Sequence, residues 1–302
     1  MKKIFTLISM LVMLLNIQVV SAATLNCNTI LTTGSTGEEV KILQEKLNRT
    51  MKCNLDVDGI IGSKTKECII KFQQRYKLET DGIVGPKTCT KLNNVYNAIN
   101  KSSYVVVIGD EVNVRSGANT SSAIKGTVKQ GEVLKIYGTK STDGKTWYKV
   151  YIKQTRVDDH YGYISETYAK KTAILLDISS QQLTYYNNGK IDWSVPVITG
   201  KKDSHDTPIG RYILNPINKK ENTTLTGQND DGTNYNAFVN YWMPFITERG
   251  IGFHDATWRN IDDYTKTTYI ENGSHGCVNM RFNDAKKLYE SIKSTTYVII
   301  TN

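Results

Sequence analysis

Beyond residue 23 the chain has no apolar run approaching 18 residues, so no transmembrane helix is expected in the mature part. Proline is scarce, at 5 of 302 residues, and charged residues are 22% against 39% hydrophobic. That balance excludes a disordered tail and a collagen-like fibre. Histidine is scarcer still, at 4, and no second Cys pair or short-range His partner completes a four-ligand set, so no metal and no cofactor are expected. No basic cluster is interleaved with aromatics, which argues against nucleic acid. Acidic residues are fewer than basic ones, giving a formal net charge of +9. An excess of that sign suits an anionic surface, or serves solubility alone.

What is present falls into four stretches. Residues 1–23 read as a signal peptide: Lys2 and Lys3, an apolar run from Ile4 to Val20, then Ser21-Ala22-Ala23 for cleavage. Removing it leaves a charge of +7. Residues 34–93 read as three helices. Thr36-Gly37-Glu38-Glu39 fits a capping box, Ser63 a cap for the second helix, and Pro86 the first position of the third. Within this stretch Asp58-Gly59-Ile60-Ile61-Gly62-Ser63-Lys64-Thr65 returns as Asp81-Gly82-Ile83-Val84-Gly85-Pro86-Lys87-Thr88. Two copies are too few for a solenoid. Residues 104–170 hold short β-rich runs separated by Gly, Ser and Asp turns, which predicts a small barrel. Residues 172–302 read as mostly β with one short helix, capped by Asn283 and closed by a strand from Tyr297 to Thr301. The Asn188-Gly189 pair marks a hairpin. Linkers are expected near 94–103 and 170–172.

The chemistry concentrates in Gly273-Ser274-His275-Gly276-Cys277-Val278-Asn279-Met280, with His254 upstream. A free thiol is mostly protonated at neutral pH, and a nearby imidazole can take its proton. Backbone N–H groups around Gly276 and Cys277 can hold an oxyanion. Competing readings are zinc ligation by His275 and Cys277, a disulfide at Cys277, and a core histidine at His254. The cysteine count favours a free Cys277. Cys27, Cys53, Cys68 and Cys89 fall in or just before the helical module, where an oxidising compartment favours two bridges and an anaerobic one leaves them reduced. Three pairings are open.

Several of these motifs resemble known families. The repeated D-G-I-x-G-x-x-T pattern, with Phe72-Gln73-Gln74-Arg75-Tyr76, resembles the peptidoglycan-binding domain of wall hydrolases, which implies a wall anchor with a groove near the turn glycines. Asn113-Val114-Arg115-Ser116-Gly117, Gly126, Gly131, Trp147-Tyr148-Lys149-Val150 and Gly162-Tyr163-Ile164 resemble bacterial SH3-like domains, which implies a second wall- or peptide-binding module or a spacer. Gly252-Phe253-His254-Asp255-Ala256 with Ser274-His275-Gly276-Cys277-Val278-Asn279 resembles the L,D-transpeptidase (YkuD-type) signature. Thr199-Gly200 and Thr207-Pro208-Ile209-Gly210 match its other turns. The interval from His254 to Ser274 is longer than common members show, which implies a long loop from Trp258 to Asn272.

That last resemblance implies Cys277 as nucleophile and His254 as proton donor and acceptor. It implies Asp255 orienting His254 through its backbone, His275 beside the thiolate, and Gly276 and Cys277 supplying oxyanion donors. Ser274 and Asn279 would hold the loop and touch substrate, and Arg281 would contact an acidic group of the stem peptide. His160 and His205 are expected at the surface, His205 at the cleft edge. The implied activity is a secreted, cell-wall-associated enzyme forming 3→3 cross-links between peptidoglycan stem peptides through a Cys thioester. Alternatives are an L,D-carboxypeptidase or endopeptidase, or a non-catalytic wall-binding protein. The implied partners are peptidoglycan stem peptides and glycan within the anionic wall.

Overall fold

The structure, a computed structural model, describes residues 24–153, 160–229 and 231–302; the expected leader, 1–23, lies outside them. The first part is helical, with α1 at Glu38–Met51, α2 at Ser63–Arg75 and α3 at Pro86–Lys101. Val40, Leu43, Leu47, Ile69, Phe72 and Leu92 line the shared core, as their helical spacing predicts. The expected side-chain caps are absent. Gly37 and Gly62 are the N-caps, and Thr36 instead bridges to Ile60. The Glu39 carboxylate accepts from the Asn26 N–H, which draws the start of the chain onto α1. Disulfides join Cys27 to Cys89 and Cys53 to Cys68, which selects one of the three pairings.

The repeat has a structural explanation. The buried Gln44 amide donates to Asp58 Oδ1 (2.7 Å), the Ile60 carbonyl (3.0 Å) and Thr65 Oγ1 (3.3 Å), and its oxygen accepts from Gly59 N–H (2.9 Å). Gln73 repeats this on Asp81 Oδ1 (2.7 Å), the Ile83 carbonyl (2.9 Å), Thr88 Oγ1 (3.3 Å) and Gly82 N–H (2.9 Å). The Asp, Gly, Ile and Thr of each copy thus serve to clamp a turn around one glutamine. A buried donor deprived of its partner carries its full desolvation penalty. Gln44→Leu should therefore destabilise this unit by about 2–3 kcal/mol. The denaturant midpoint of its unfolding measures this; an unchanged midpoint would contradict the clamp.

The middle part holds β1 (Ser103–Val107), β2 (Glu111–Arg115), β3 (Ile124–Lys129), β4 (Val133–Thr142), β5 (Lys145–Tyr151), β6 (Tyr161–Ser165) and β7 (Ala169–Lys170). They form one sheet in the order β3-β2-β6-β5-β4-β1-β7, closed over Val105, Val107, Val114, Val150 and Ile164. Strand β3 is not marked in the sequence, because Lys125, Gly126 and Thr127 dilute its apolar signal. The linker expected at 94–103 is mostly helix. Helix α3 runs to Lys101, so Ser102 alone joins it to β1.

The last part holds β8 (Ala173–Asp177), β9 (Gln182–Asn187), β10 (Lys190–Pro196), β11 (Gly210–Leu214), β12 (Lys220–Gln228), β13 (Asn234–Ile246), β14 (Ile251–Asp255), β15 (Val278–Met280) and β16 (Thr296–Thr301), with α4 at Thr268–Asn272 and α5 at Phe282–Ser291. A five-stranded sheet, β10-β9-β8-β16-β11, packs on a four-stranded sheet, β12-β13-β14-β15. Between them lie Leu176, Leu183 and Val298 from one side and Met243, Phe253 and Val278 from the other, joined by Leu288 of α5. The α5 N-cap is Arg281, and Asn283 sits inside the helix. The expected long loop from Trp258 to Asn272 contains a 3-10 turn at Ile261–Asp263 and ends in α4.

The three parts touch. Val106, Ile108, Ala173, Tyr186 and Ile299 form a buried cluster between the middle and last parts. Asp56 accepts from Arg281 (2.8 Å), Asp262 accepts from Lys64 (2.5 Å) and Asn54 accepts from Gln182 (3.0 Å), tying the helical part to the last.

Candidate active site

Strands β14 and β15 run parallel, and their register sets His254 beside Asn279. Cys277 ends the loop that enters β15, so residues separated by more than twenty positions meet across one strand pair. A cavity of about 250 Å3 opens on His254, Cys277, His275, Tyr235, Trp258 and Arg259.

His254 is 4% exposed. Its Nδ1 lies 2.9 Å from the Asp255 carbonyl oxygen, which can only accept, so Nδ1 carries the proton and Nε2 is left as the basic nitrogen. Burial lowers the imidazole pKa, the dominant effect, against a raising effect from the Asp255 backbone bond. The neutral ring is therefore the form present at neutral pH. The Asp255 carboxylate is buried but satisfied: Oδ1 accepts from the backbone N–H groups of Asn240 and Tyr241 (2.8 Å each) and Oδ2 from the Asn240 amide (2.7 Å). These bonds lock β14 to β13 and hold the carbonyl that orients His254.

The Asn279 amide is assigned the orientation that satisfies its neighbours. Its nitrogen then donates to His254 Nε2 at 3.1 Å, and its oxygen accepts from Arg259 Nε at 2.8 Å and Nη2 at 3.3 Å.

The Cys277 thiol donates to the Gly250 carbonyl at 3.5 Å. Burial pushes it up to about 11, partly opposed by the Gly252 backbone N–H. His275 stacks on Tyr235, with ring centroids 5.1 Å apart, and meets His205 edge-on at 4.8 Å. His205 is thus at the edge of the site and, like His160, half-buried rather than exposed.

Two sequence expectations are changed, those for the Gly276 N–H and for Arg281. The Gly276 N–H, expected as an oxyanion donor, donates to Ser274 Oγ at 3.1 Å. The Cys277 N–H has no hydrogen-bond partner among the described residues and is left as an available donor. The Ser274 hydroxyl holds the loop as expected, donating to the Cys277 carbonyl at 2.5 Å, and Ser274 lines the cavity. Arg281 is paired with Asp56 and lies over the Tyr264 ring, because β15 ends at Met280 and the chain turns into α5 away from the cavity. The basic residue that does line the cavity is Arg259, which the sequence reading missed. Its one signal is its place directly after Trp258, as one of two cations, with Lys266, between the two halves of the signature. Tyr235 gives no sequence signal, since only the β12–β13 hairpin brings it over His275. Among the described residues no three His, Cys, Asp or Glu side chains converge on a metal-sized site.

Three family models match the chain. Residues 171–300 match the L,D-transpeptidase catalytic domain, 36–92 the putative peptidoglycan binding domain and 110–170 the bacterial SH3 domain. The catalytic domain of an Enterococcus faecium L,D-transpeptidase is 35% identical, covering 43% of this chain and 96% of that one, with a TM-score of 0.36. The same domain acylated by ertapenem is 35% identical, covering 43% and 97%, with a TM-score of 0.37. Probable L,D-transpeptidase 3 of Mycobacterium tuberculosis is 27% identical over 114 residues, covering 36% of this chain; the chain spans 39% of that curated relative's length. No helix among the described residues is long and apolar enough to cross a membrane.

Proposed function

Since the chain belongs to the L,D-transpeptidase family through its YkuD catalytic domain, we propose that it forms 3→3 cross-links between peptidoglycan stem peptides through a thioester on Cys277. The observation that carries this reading is the meeting of a half-buried free thiol with a neutral, backbone-oriented imidazole in one cavity.

In the first half-reaction the Cys277 sulfur attacks the carbonyl of the L-to-D bond in a donor tetrapeptide. The thiol proton moves from its bond with Gly250 to His254 Nε2, which Asn279 releases. The Cys277 N–H receives the oxyanion. The C–N bond breaks, His254 returns the proton to the departing amine, and the acyl group stays on sulfur. In the second half-reaction a side-chain amine of an acceptor stem attacks the thioester, loses its proton to His254, and the thiol is restored.

Residues 34–93 would anchor the enzyme on the wall, residues 104–170 would bind it again or space the catalytic domain at 172–302, and a leader at 1–23 would export the whole. Mass spectrometry of the purified chain with disaccharide-tetrapeptides tests the proposal. Release of the terminal D-residue together with a cross-linked dimer is expected. Release without dimer would replace cross-linking by carboxypeptidase action, and neither product would leave a wall-binding protein.

A further inference from the structure

We infer that Thr207 is a positioning residue for acyl transfer: its hydroxyl fixes the plane of the Gly276–Cys277 peptide and so aims the Cys277 N–H at the oxyanion. The inference rests on the acyl-transfer reading above.

Thr207 is 2% exposed and 69 residues from Gly276 in sequence. Its Oγ1 accepts from the Gly200 N–H at 2.8 Å and donates to the Gly276 carbonyl at 2.9 Å. Both capacities of the hydroxyl are used on backbone. A trans peptide is planar with its C=O and N–H pointing in opposite directions. Holding the Gly276 carbonyl against Thr207 therefore points the Cys277 N–H the opposite way.

This peptide needs such a restraint. Gly276 has φ of +107°, in the range that glycine visits freely and other residues avoid, so its own backbone limits rotation weakly. The loop is already tied on either side of it. The Ser274 N–H donates to the Thr199 carbonyl (3.0 Å), its carbonyl accepts from Lys201 (2.9 Å), and Asn279 exchanges bonds of 3.0 and 2.8 Å with Ile198. Ser274 Oγ takes the Gly276 N–H and the Cys277 carbonyl. Thr207 supplies the tie at the peptide that carries the Cys277 N–H, which has no hydrogen-bond partner among the described residues. The segment carrying Gly200 lies close: a Cβ on Gly200 would meet the Gly276 Cα at 2.9 Å. The hydroxyl therefore bridges two backbones too near for a larger intermediary.

An oxyanion donor matters for attack on a carbonyl and has no part in displacement at an alkyl halide, which separates a positioning role from general damage. The test measures two rate constants at Cys277 in the full chain: acylation by ertapenem and alkylation by iodoacetamide. Thr207→Val keeps the shape and removes both bonds. It should slow acylation about 10- to 100-fold, below the loss from deleting an oxyanion donor outright, and leave alkylation within about twofold of wild type by the same argument. Thr207→Ser should restore acylation. If Thr207→Val does not fold, Thr207→Ala, whose smaller side chain admits water to both groups, carries the same comparison. Equal acylation in wild type and variant overturns the inference. So does a parallel fall in alkylation, or failure of both variants to fold, since Thr207 would then be only a structural tie. A wild-type chain that ertapenem does not acylate sinks the acyl-transfer reading itself, and the inference with it.

Discussion

Cys277→Ala is expected to abolish both D-residue release and ertapenem acylation, and His254→Ala to lower acylation at pH 7 by about 10^2- to 10^4-fold. The pH dependence carries the physical content. The thiol is pushed up to about 11 by burial, and burial lowers the His254 imidazole. At neutral pH both groups are therefore neutral, with a thiolate fraction near ~10^-4 at pH 7. Alkylation of the free enzyme by iodoacetamide should then rise tenfold per pH unit from about 7 to 10 and level off near the thiol pKa. The His254→Ala deficit in acylation should shrink over the same span, because hydroxide removes the proton that the imidazole otherwise takes. An alkylation rate already flat from about pH 6 would indicate a standing thiolate–imidazolium pair and contradict this account. Retained turnover in Cys277→Ala would refute the nucleophile.

Reducing the two disulfides should unfold the helical part while leaving the catalytic part folded. The Cys27–Cys89 bridge spans 62 residues and the Cys53–Cys68 bridge 15. Loop-closure entropy assigns them about 4 and about 3 kcal/mol. A module of this size buries too little apolar surface to absorb that loss. With dithiothreitol the first melting transition should disappear or fall below 37 °C, and sedimentation with insoluble peptidoglycan should be lost. Ertapenem acylation should persist, since Cys277 is not bridged and its cavity draws no lining residue from the helical part. A melting profile unchanged by reductant would show that the helical core suffices alone.

Much of the site was legible before any coordinates. The run from Ser274 to Asn279 and the upstream His254 point to thiol chemistry because that chemistry calls for cysteine, histidine and a flexible glycine, which are fixed residue types. Pro86 at a helix start and Asn188-Gly189 in a hairpin follow from local backbone restrictions alone. The Gln44 and Gln73 clamps were hidden. Their partners lie 14 and 8 residues downstream respectively, so the pairing does not share the repeat's own period. Helix caps at Thr36, Ser63 and Asn283 were misplaced by one or two positions, where glycines or Arg281 took the boundary.

The sequence by itself therefore determined the residue types gathered at the site, the three-part layout and the parity that leaves one thiol free. Those properties reside in residue identity and short-range spacing. Only the tertiary structure decided which cysteines pair, that Arg259 rather than Arg281 faces the cavity, that the Gly276 N–H is spent on Ser274, and that Thr207 reaches the nucleophile's peptide. Each of these depends on strand register or loop contact between residues far apart in the chain, and such contacts leave no periodic trace in the sequence.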